Sequence, residues 1–158
     1  MKKSVWRSVA ILGLGCSALI SLPGCSRAPE TPPKTIEITA NDQMKFDIAA
    51  FDVTPGQTVV VTLKNIGIQP KASMGHDFIV LKQNVNALRF VDANSSYAAK
   101  SQLAPETKTE VVAHTKLLGP GESDTITFTA PYVKGPYEFL CSFPGHYGAG
   151  MKGVMNVQ

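Results

Sequence analysis

The sequence is short of the residues on which most protein chemistry depends. Its 158 residues include only three cysteines, three histidines and one tryptophan. It has no basic run interleaved with aromatic residues, so nucleic-acid binding is not expected, and no Gly-rich loop that would hold a phosphate. Paired carboxylates, a nucleophile beside a base and a metal triad with an open position are also missing. The sequence therefore predicts a protein that is not an enzyme.

The first 24 residues predict a signal peptide. Three basic residues precede an apolar run at 9–22, and small residues follow it. A charged segment, an apolar segment and a small-residue cleavage site are the parts of a secretory signal. The run is also shorter than the about 20 residues that a membrane-spanning helix needs. We therefore expect export, with Trp6 and Cys16 removed along with the signal.

Residues 22–25, Leu-Pro-Gly-Cys, resemble a bacterial lipobox, in which the cysteine becomes the acylated first residue of the mature protein. We therefore predict a lipid on Cys25, which would anchor the protein to a bacterial membrane on its periplasmic face. Residues 25–34 are rich in proline and predict an extended tether. The alternative is ordinary signal cleavage nearby, which would leave Cys25 a free thiol on a soluble periplasmic protein.

One cysteine then remains for the folded domain. Cys16 leaves with the signal and Cys25 is assigned to the lipid, so Cys141 has no cysteine partner. An exported domain with one unpaired cysteine needs a reason for it, because an exposed thiol outside the cytosol is readily oxidised. Metal ligation is such a reason.

From residue 35 the pattern becomes that of a β protein. Apolar and polar residues alternate in short runs, which are separated by turn residues such as Thr54-Pro55-Gly56. Residues 85–103 lack this alternation and predict a flap with a short helix at Ala87–Asn94. About eight strands are predicted, at or near 35–38, 46–53, 59–63, 78–81, 108–113, 123–130, 135–143 and 153–157. We therefore predict one domain over 35–158, an all-β, eight-stranded Greek-key sandwich.

Three residues with soft or borderline ligand atoms lie at five-residue steps near the C-terminus: Cys141, His146 and Met151. Taken alone, the cysteine could be structural, the histidine a surface residue and the methionine part of the core. Their joint spacing on a glycine-rich loop favours metal ligation. A thiolate with imidazoles and a weak thioether is the ligand set of a blue-copper electron-transfer centre.

Such a centre needs a second imidazole. The remaining candidates are His76, which follows Gly75 and precedes an apolar run, and His114, which follows a predicted strand. We predict that His76 is the ligand and that His114 is exposed. The alternative is a purely structural role, in which His76 is a hydrogen-bonded core histidine.

The chain from about residue 35 to 157 resembles the azurins, which are bacterial cupredoxins. The stretches that carry the resemblance are Asn41-Asp42-Gln43-Met44, Met74-Gly75-His76, residues 112–119 and residues 141–146. The resemblance implies an equatorial copper set of His76, Cys141 and His146, an axial Met151 and a distant contact from the Gly75 carbonyl. It also implies a copper ion that shuttles between Cu(I) and Cu(II), with His146 exposed where the electron enters.

Four features depart from the azurin pattern. The step from His146 to Met151 is one residue longer and is similar to that of plastocyanin and the auracyanins. Asp77 stands where azurins have asparagine, so it can accept a hydrogen bond from Ser142 but not donate one. The azurin disulfide is absent, and Phe78 replaces the core tryptophan.

The resemblance implies a one-electron carrier. An apolar rim around His146 would dock redox partners such as a c-type cytochrome, a membrane redox complex or a periplasmic reductase. The expected rim residues are Met44, Met74, Phe143, Pro144 and Tyr147. Without the three basic residues of the signal, the mature chain has 12 Lys and Arg against 12 Asp and Glu, so docking by apolar contact is expected. We expect a monomer.

Two other classes stay open at this point. A protein that stores or delivers copper would have exposed, exchangeable Met- and His-rich sites, and the compact loop argues against it. A structural zinc site prefers four strong ligands at similar distances, and Met151 is a poor fourth ligand.

Overall fold

The structure is a computed structural model that describes residues 31–100 and 102–158. The predicted signal peptide, Cys25 and the first part of the tether lie outside the described residues. The folded unit spans Thr31–Gln158. None of the helices in the described part of the chain is long and apolar enough to cross a membrane.

Nine strands and two short α-helices make up the described part of the chain, with two 3-10 segments at Ala98–Lys100 and Pro105–Glu110. The helices are α1 (Lys71–Met74) and α2 (Ala87–Asn94). The strands are β1 (Lys34–Asn41), β2 (Lys45–Phe46), β3 (Ala50–Val53), β4 (Thr58–Asn65), β5 (Ile79–Leu81), β6 (Val111–His114), β7 (Ser123–Thr129), β8 (Gly135–Leu140) and β9 (Lys152–Val157).

The strands form two sheets, in the orders β2-β1-β4-β7 and β3-β9-β8-β5-β6. The β1–β4 and β3–β9 pairs are parallel, and the other pairs are antiparallel. Alternate residues of β1 and β4 point into the core, which explains the period-two pattern of their sequences. Phe139 lies at the centre of this core and contacts Phe46, Phe51 and Phe78. The predicted β-sandwich is confirmed.

Two predicted strands differ from the structure. The run at 46–53 is two strands, because β2 pairs with β1 in one sheet and β3 pairs with β9 in the other. The chain crosses between the sheets at 47–49. The run at 108–113 begins as a 3-10 turn that ends at Glu110, and β6 starts only at Val111. The short helix α1 was not predicted.

The predicted helix of the flap is confirmed at Ala87–Asn94. The side chain of Asn86 caps it by accepting a hydrogen bond from the Arg89 amide at 3.0 Å. Phe90 is buried in a second cluster that includes Leu140. The buried Asn94 accepts a hydrogen bond from the Ala104 amide at 2.8 Å. The flap is therefore fixed to the end of β8, directly beside Cys141.

Candidate metal centre

Three segments that meet at one end of the sandwich carry the predicted ligands. His76 lies just before β5 and forms a backbone bridge with Leu118, with N···O distances of 3.0 and 2.7 Å. Cys141 follows the last residue of β8, and Met151 precedes the first residue of β9. Because β8 and β9 are antiparallel neighbours, the loop 141–151 closes over this end of the sheet.

The structure brings the side chains of His76, Cys141 and His146 together. One ligand atom of each lies within 4.8 Å of those of the other two, and all three residues are buried. The Cys141 Sγ lies 3.5 Å from Nδ1 of His146, and the two imidazole rings have centroids 4.9 Å apart. Two imidazoles and a thiol at such distances are a donor set for copper or zinc.

His76 provides an independent test of whether a metal fits. It is completely buried, and neither of its ring nitrogens has a hydrogen-bond partner of regular geometry in the part of the chain that the structure describes, although the Asn41 backbone carbonyl lies near the ring. Buried polar atoms without partners are rare because they cost free energy. Burial lowers the pKa of His76, and the nearby Asp42 carboxylate and Asn41 backbone carbonyl oppose that shift. The side chain is thus a neutral imidazole with a free lone pair, which is the form that binds a metal.

His146 is also a neutral imidazole, again because it is buried. Burial, and then the proximity of His76, lower its pKa to about 4. The residue is only 2% exposed, so the exposure implied by the azurin resemblance was wrong for this conformation. The Phe143 ring, with its centroid 4.7 Å from that of the imidazole, is one of the groups that cover it.

Backbone hydrogen bonds fix the shape of the loop 141–151. The Met151 amide donates to the His146 carbonyl at 3.0 Å, and the Cys141 amide donates to the Met151 carbonyl at 3.1 Å. Gly145 and Gly150 have φ angles of 85° and 91°, which residues with a side chain rarely adopt. Met151 is completely buried. The loop therefore holds Met151 by its backbone beside the segment that carries the thiol.

A glycine is required at position 75 because a side chain would not fit there, and not because of the backbone conformation. A Cβ built at this position would lie 2.8 Å from Leu117 Cδ2 and 2.8 Å from the Lys71 carbonyl oxygen. Its φ angle of −71° is ordinary. The close packing of Lys71 and Leu117 on Gly75 fixes the backbone immediately before His76.

Asp77 joins the two halves of the site. One of its carboxylate oxygens accepts a hydrogen bond from the Ser142 amide at 2.6 Å and the other from the Ser142 hydroxyl at 2.5 Å. Burial raises the pKa of Asp77, and the hydrogen bonds from Ser142 oppose that shift. Burial also raises the pKa of the Cys141 thiol well above its usual range, and the neighbouring Asp77 charge adds to this. A metal ion that binds here must therefore displace a proton from sulfur.

His114 is not part of the cluster. It is exposed, and its Nδ1 lies 3.0 Å from the Thr115 carbonyl oxygen, as predicted from the sequence. The neighbouring Thr115 is buried, and its hydroxyl accepts a hydrogen bond from the Phe78 amide at 3.0 Å. This stretch supports the backbone behind His76 rather than the donor set.

The predicted rim residues differ in exposure. Pro144 is exposed, Met44, Met74 and Tyr147 are half-buried, and Phe143 is only 8% exposed. Phe143 thus belongs more to the core than to the surface. Tyr147 is held in place, because its hydroxyl donates to Glu138 at 3.0 Å and Lys152 lies over its ring.

Three exposed apolar residues near the metal end were not predicted from the sequence: Ile66, Ile68 and Leu88. The Ile68 amide donates to Asp42 at 2.8 Å, so this loop lies at the metal end. Leu88 lines a groove against Pro144 and Tyr147. Two isoleucines within the short loop 66–70 are a signal in the sequence for an exposed apolar surface. The exposure of Leu88 depends on how the flap packs.

Comparisons with known proteins agree with this geometry. Residues 34–158 match the family model of copper-binding proteins of the plastocyanin/azurin family. The chain is 36% identical to azurin of Pseudomonas fluorescens biotype C, over 78% of this chain and 97% of that protein. It is 38% identical to outer membrane protein H.8 of Neisseria gonorrhoeae, over 76% of this chain and 65% of that protein.

Solved structures give the same result. A reduced auracyanin from Roseiflexus castenholzii is 40% identical and superposes with a TM-score of 0.69, covering 81% of this chain and 99% of that one. Auracyanin A of Chloroflexus aurantiacus, a "blue" copper protein, is 32% identical with a TM-score of 0.69, covering 80% and 99%. With the fold, the buried cluster of donors and these matches in agreement, the chain belongs to the plastocyanin/azurin family of copper-binding proteins, as an azurin-like cupredoxin that carries single electrons on a type 1 copper centre.

Proposed function

We propose that His76, Cys141 and His146 are the equatorial copper ligands, with Met151 as the axial ligand and the Gly75 carbonyl as a weak, distant contact. The observation that carries this proposal is the convergence of two neutral imidazoles and one thiol, all buried, within 4.8 Å of one another. Met151 is buried and bonded through its backbone to both of its neighbours in the site. When bound, copper supplies the one-electron Cu(I)/Cu(II) couple.

The protein holds the metal-binding residues in a rigid arrangement. The bridge between His76 and Leu118 and the pair of hydrogen bonds between Ser142 and Asp77 keep the donors in one arrangement. A donor set that is fixed by the fold has little to rearrange when the charge of the site changes. Fast electron exchange, rather than substrate chemistry, is what such a site favours, so the protein is a carrier and not an enzyme.

Electrons enter and leave through the surface that covers the cluster. Pro144 is exposed there, and Met44, Met74 and Tyr147 are half-buried. A small apolar surface of this kind suits short-lived contacts with redox proteins. A c-type cytochrome, a membrane redox complex and a periplasmic reductase are the partner classes that we propose for a monomeric carrier.

The carrier is exported and held at a bacterial membrane by a lipid on Cys25. The signal sequence, the lipobox-like Leu-Pro-Gly-Cys at 22–25 and the proline-rich tether support this location. One relative, protein H.8 of Neisseria gonorrhoeae, is named an outer membrane protein. Cleavage without lipidation would instead give a soluble periplasmic carrier, which detergent-free extraction of cells would detect.

Absorption and EPR spectra of the copper-loaded protein test the ligand assignment. We expect an intense thiolate-to-copper band in the visible region and a narrow copper hyperfine splitting. Cys141→Ser should abolish the band, whereas His114→Ala, at an exposed histidine outside the cluster, should leave it intact. A colourless Cu(II) protein would contradict the assignment and would favour copper storage or delivery.

A further inference from the structure

The loop between β7 and β8 exposes two large apolar side chains. We call residues 131–134, Pro-Tyr-Val-Lys, the distal loop. Tyr132 is 79% exposed and Val133 is 63% exposed, and Lys134 beside them is exposed too. Large apolar side chains that protrude next to each other on a soluble domain commonly mark a contact surface.

The distal loop lies at the opposite end of the sandwich from the metal ligands. Strand β8 begins at Gly135, directly after the loop, and ends at Leu140, directly before Cys141. Six residues of strand span about 20 Å. The surface at the distal loop is therefore distinct from the rim around His146.

The chain enters the domain at this same end. The carbonyl of Pro32 accepts a hydrogen bond from the Gln57 side chain at 2.7 Å. The Tyr132 ring packs on the preceding residue, Gly56, where a Cβ would lie 2.7 Å from Tyr132 Cε1. Pro32 and Tyr132 thus contact adjacent residues of one turn. From there β1 runs away from the distal loop, towards Asn41 and the metal end.

The length of the tether limits how far this end can be from a membrane. Pro32 follows Cys25 by seven positions, and seven residues of extended chain span at most about 25 Å. This step depends on the lipid that we proposed at Cys25. Given that lipid, the bilayer surface is within one domain diameter of Tyr132.

The chemistry of the distal end suits a lipid surface. At a bilayer surface, the apolar ring of a tyrosine lies beneath the headgroups and its hydroxyl lies at their level. A lysine side chain can extend its amine to the lipid phosphates. Val133 and Pro131 continue into a groove of about 370 Å³ that is also lined by Val111, Val112, Tyr137, Gln83 and Lys82. Lys34 and Asp52 line a second hollow at this end. Three lysines against one aspartate among these residues favour an anionic surface.

We propose that the distal loop rests on the bilayer through Tyr132, Val133 and Lys134. The lipid on Cys25 and this loop would then be two contacts of one domain with the same membrane. Two contacts fix an orientation where one attachment point does not. The copper end faces away from the bilayer, where a redox partner can reach it.

Tryptophan fluorescence in vesicles tests this orientation with the lipidated protein. The protein is extracted with its lipid and reconstituted into phosphatidylethanolamine/phosphatidylglycerol vesicles. Trp6 leaves with the signal, so an introduced tryptophan is the one tryptophan of the lipidated protein. The vesicles have plain or brominated acyl chains, because bromine quenches tryptophan only at short range. Tyr132→Trp reports on the distal loop. Ile68→Trp is the matched control, since Ile68 is 83% exposed and lies beside Asp42 at the metal end.

We expect brominated lipid to reduce the emission of Tyr132→Trp several-fold, with that of Ile68→Trp unchanged. Each variant is compared with itself in plain lipid, so quenching by copper cancels. Equal quenching of both variants, or none for Tyr132→Trp, would overturn the proposal. Emission from Tyr132→Trp that is blue-shifted and insensitive to bromine would show instead that the loop binds a second copy of the chain.

The readouts separate this inference from the proposed function. A blue protein that the vesicles do not retain would show that the lipid at Cys25 is absent, and the orientation would fall with it, while electron carriage would stand. A protein that shows the expected quenching but lacks the visible band would keep the orientation and contradict the copper ligands.

Discussion

Asp77 and Ser142 are joined by two short hydrogen bonds, one from the Ser142 amide at 2.6 Å and one from its hydroxyl at 2.5 Å. Asp77 directly follows His76, and Ser142 directly follows Cys141. The pair therefore sets the distance between the backbones that carry an imidazole and the thiol.

Replacing Asp77 with asparagine should weaken this link and remove a negative charge. The new amide oxygen can accept from the Ser142 amide, and the new NH₂ group can donate to the Ser142 hydroxyl oxygen, but the hydroxyl proton then loses its acceptor. A buried donor without a partner costs about 1–3 kcal/mol, so the free energy of unfolding should fall by that order. The reduction potential should rise, because a negative charge near the metal favours the more positive Cu(II) state. Chemical denaturation and protein-film voltammetry measure the two effects.

Ser142→Ala is the matched control for that substitution. It removes the hydroxyl donor but leaves the amide bond and the Asp77 carboxylate in place. Its effect on the potential should be smaller than that of Asp77→Asn. An equal rise in both variants would show that the loss of hydrogen bonding, and not of charge, controls the potential.

Gly75→Ala should destabilise the site through steric overlap. The new Cβ would lie 2.8 Å from a Leu117 methyl carbon and 2.8 Å from the Lys71 carbonyl oxygen. The carbonyl is backbone, so relieving that overlap shifts the segment before His76. Overpacking of this kind costs about 1–3 kcal/mol. We expect a lower melting temperature together with a shifted visible band.

Gly148→Ala, in the ligand loop, is the comparison. Within the described residues, a Cβ there would have only the Gly145 carbonyl oxygen within 4 Å, at 3.5 Å, which is an ordinary contact. Its melting temperature and spectrum should remain close to those of the unmodified protein. If Gly75→Ala behaved in the same way, the packing before His76 would not control the site.

Much of the site could be predicted because its ligands are close together in sequence. Cys141, His146 and Met151 share one loop, so their spacing alone indicates a site. His76 was found because few histidines were available. Burial could not be predicted in this way. His146 is covered by groups that include Phe143, and that depends on how the loop closes over the sheet.

Tertiary pairing explains the errors in the fold as well. The run at 46–53 alternates like one strand, yet its two ends pair with β1 and β9 in different sheets. Local pattern does not record which partner a strand will find. The helix Ala87–Asn94 was predicted correctly because the change from strand alternation to helical periodicity is a local pattern. The cap that Asn86 provides was seen only in the structure.

Removing the metal should destabilise the protein. In the metal-free state neither buried nitrogen of His76 has a hydrogen-bond partner of regular geometry among the described residues, and a bound ion satisfies one of them. A ligand that binds only the folded state stabilises it by about 2.7 kcal/mol at 100 times its Kd. Thermal unfolding with Cu(I) or Zn²⁺, and again after a chelator, measures this difference. In Cys141→Ser the stabilisation should shrink strongly. If it stays the same, the ions bind elsewhere.

Acid should weaken the metal-free protein through His146. Its pKa is about 4 in the folded state and 6.5 in the unfolded chain, so the unfolded state binds a proton more readily. Stability is therefore complete above pH 6.5, falls as the pH drops from about 6.5 to about 4, and changes no further from this group below that. Urea unfolding of the metal-free protein at several pH values tests this against His146→Gln, which cannot titrate there. The difference between the two proteins isolates the imidazole, because other groups such as Asp77 are common to both. A constant difference across this range would show that the imidazole is readily protonated in the folded protein, and that the burial of His146 does not keep it neutral for the metal.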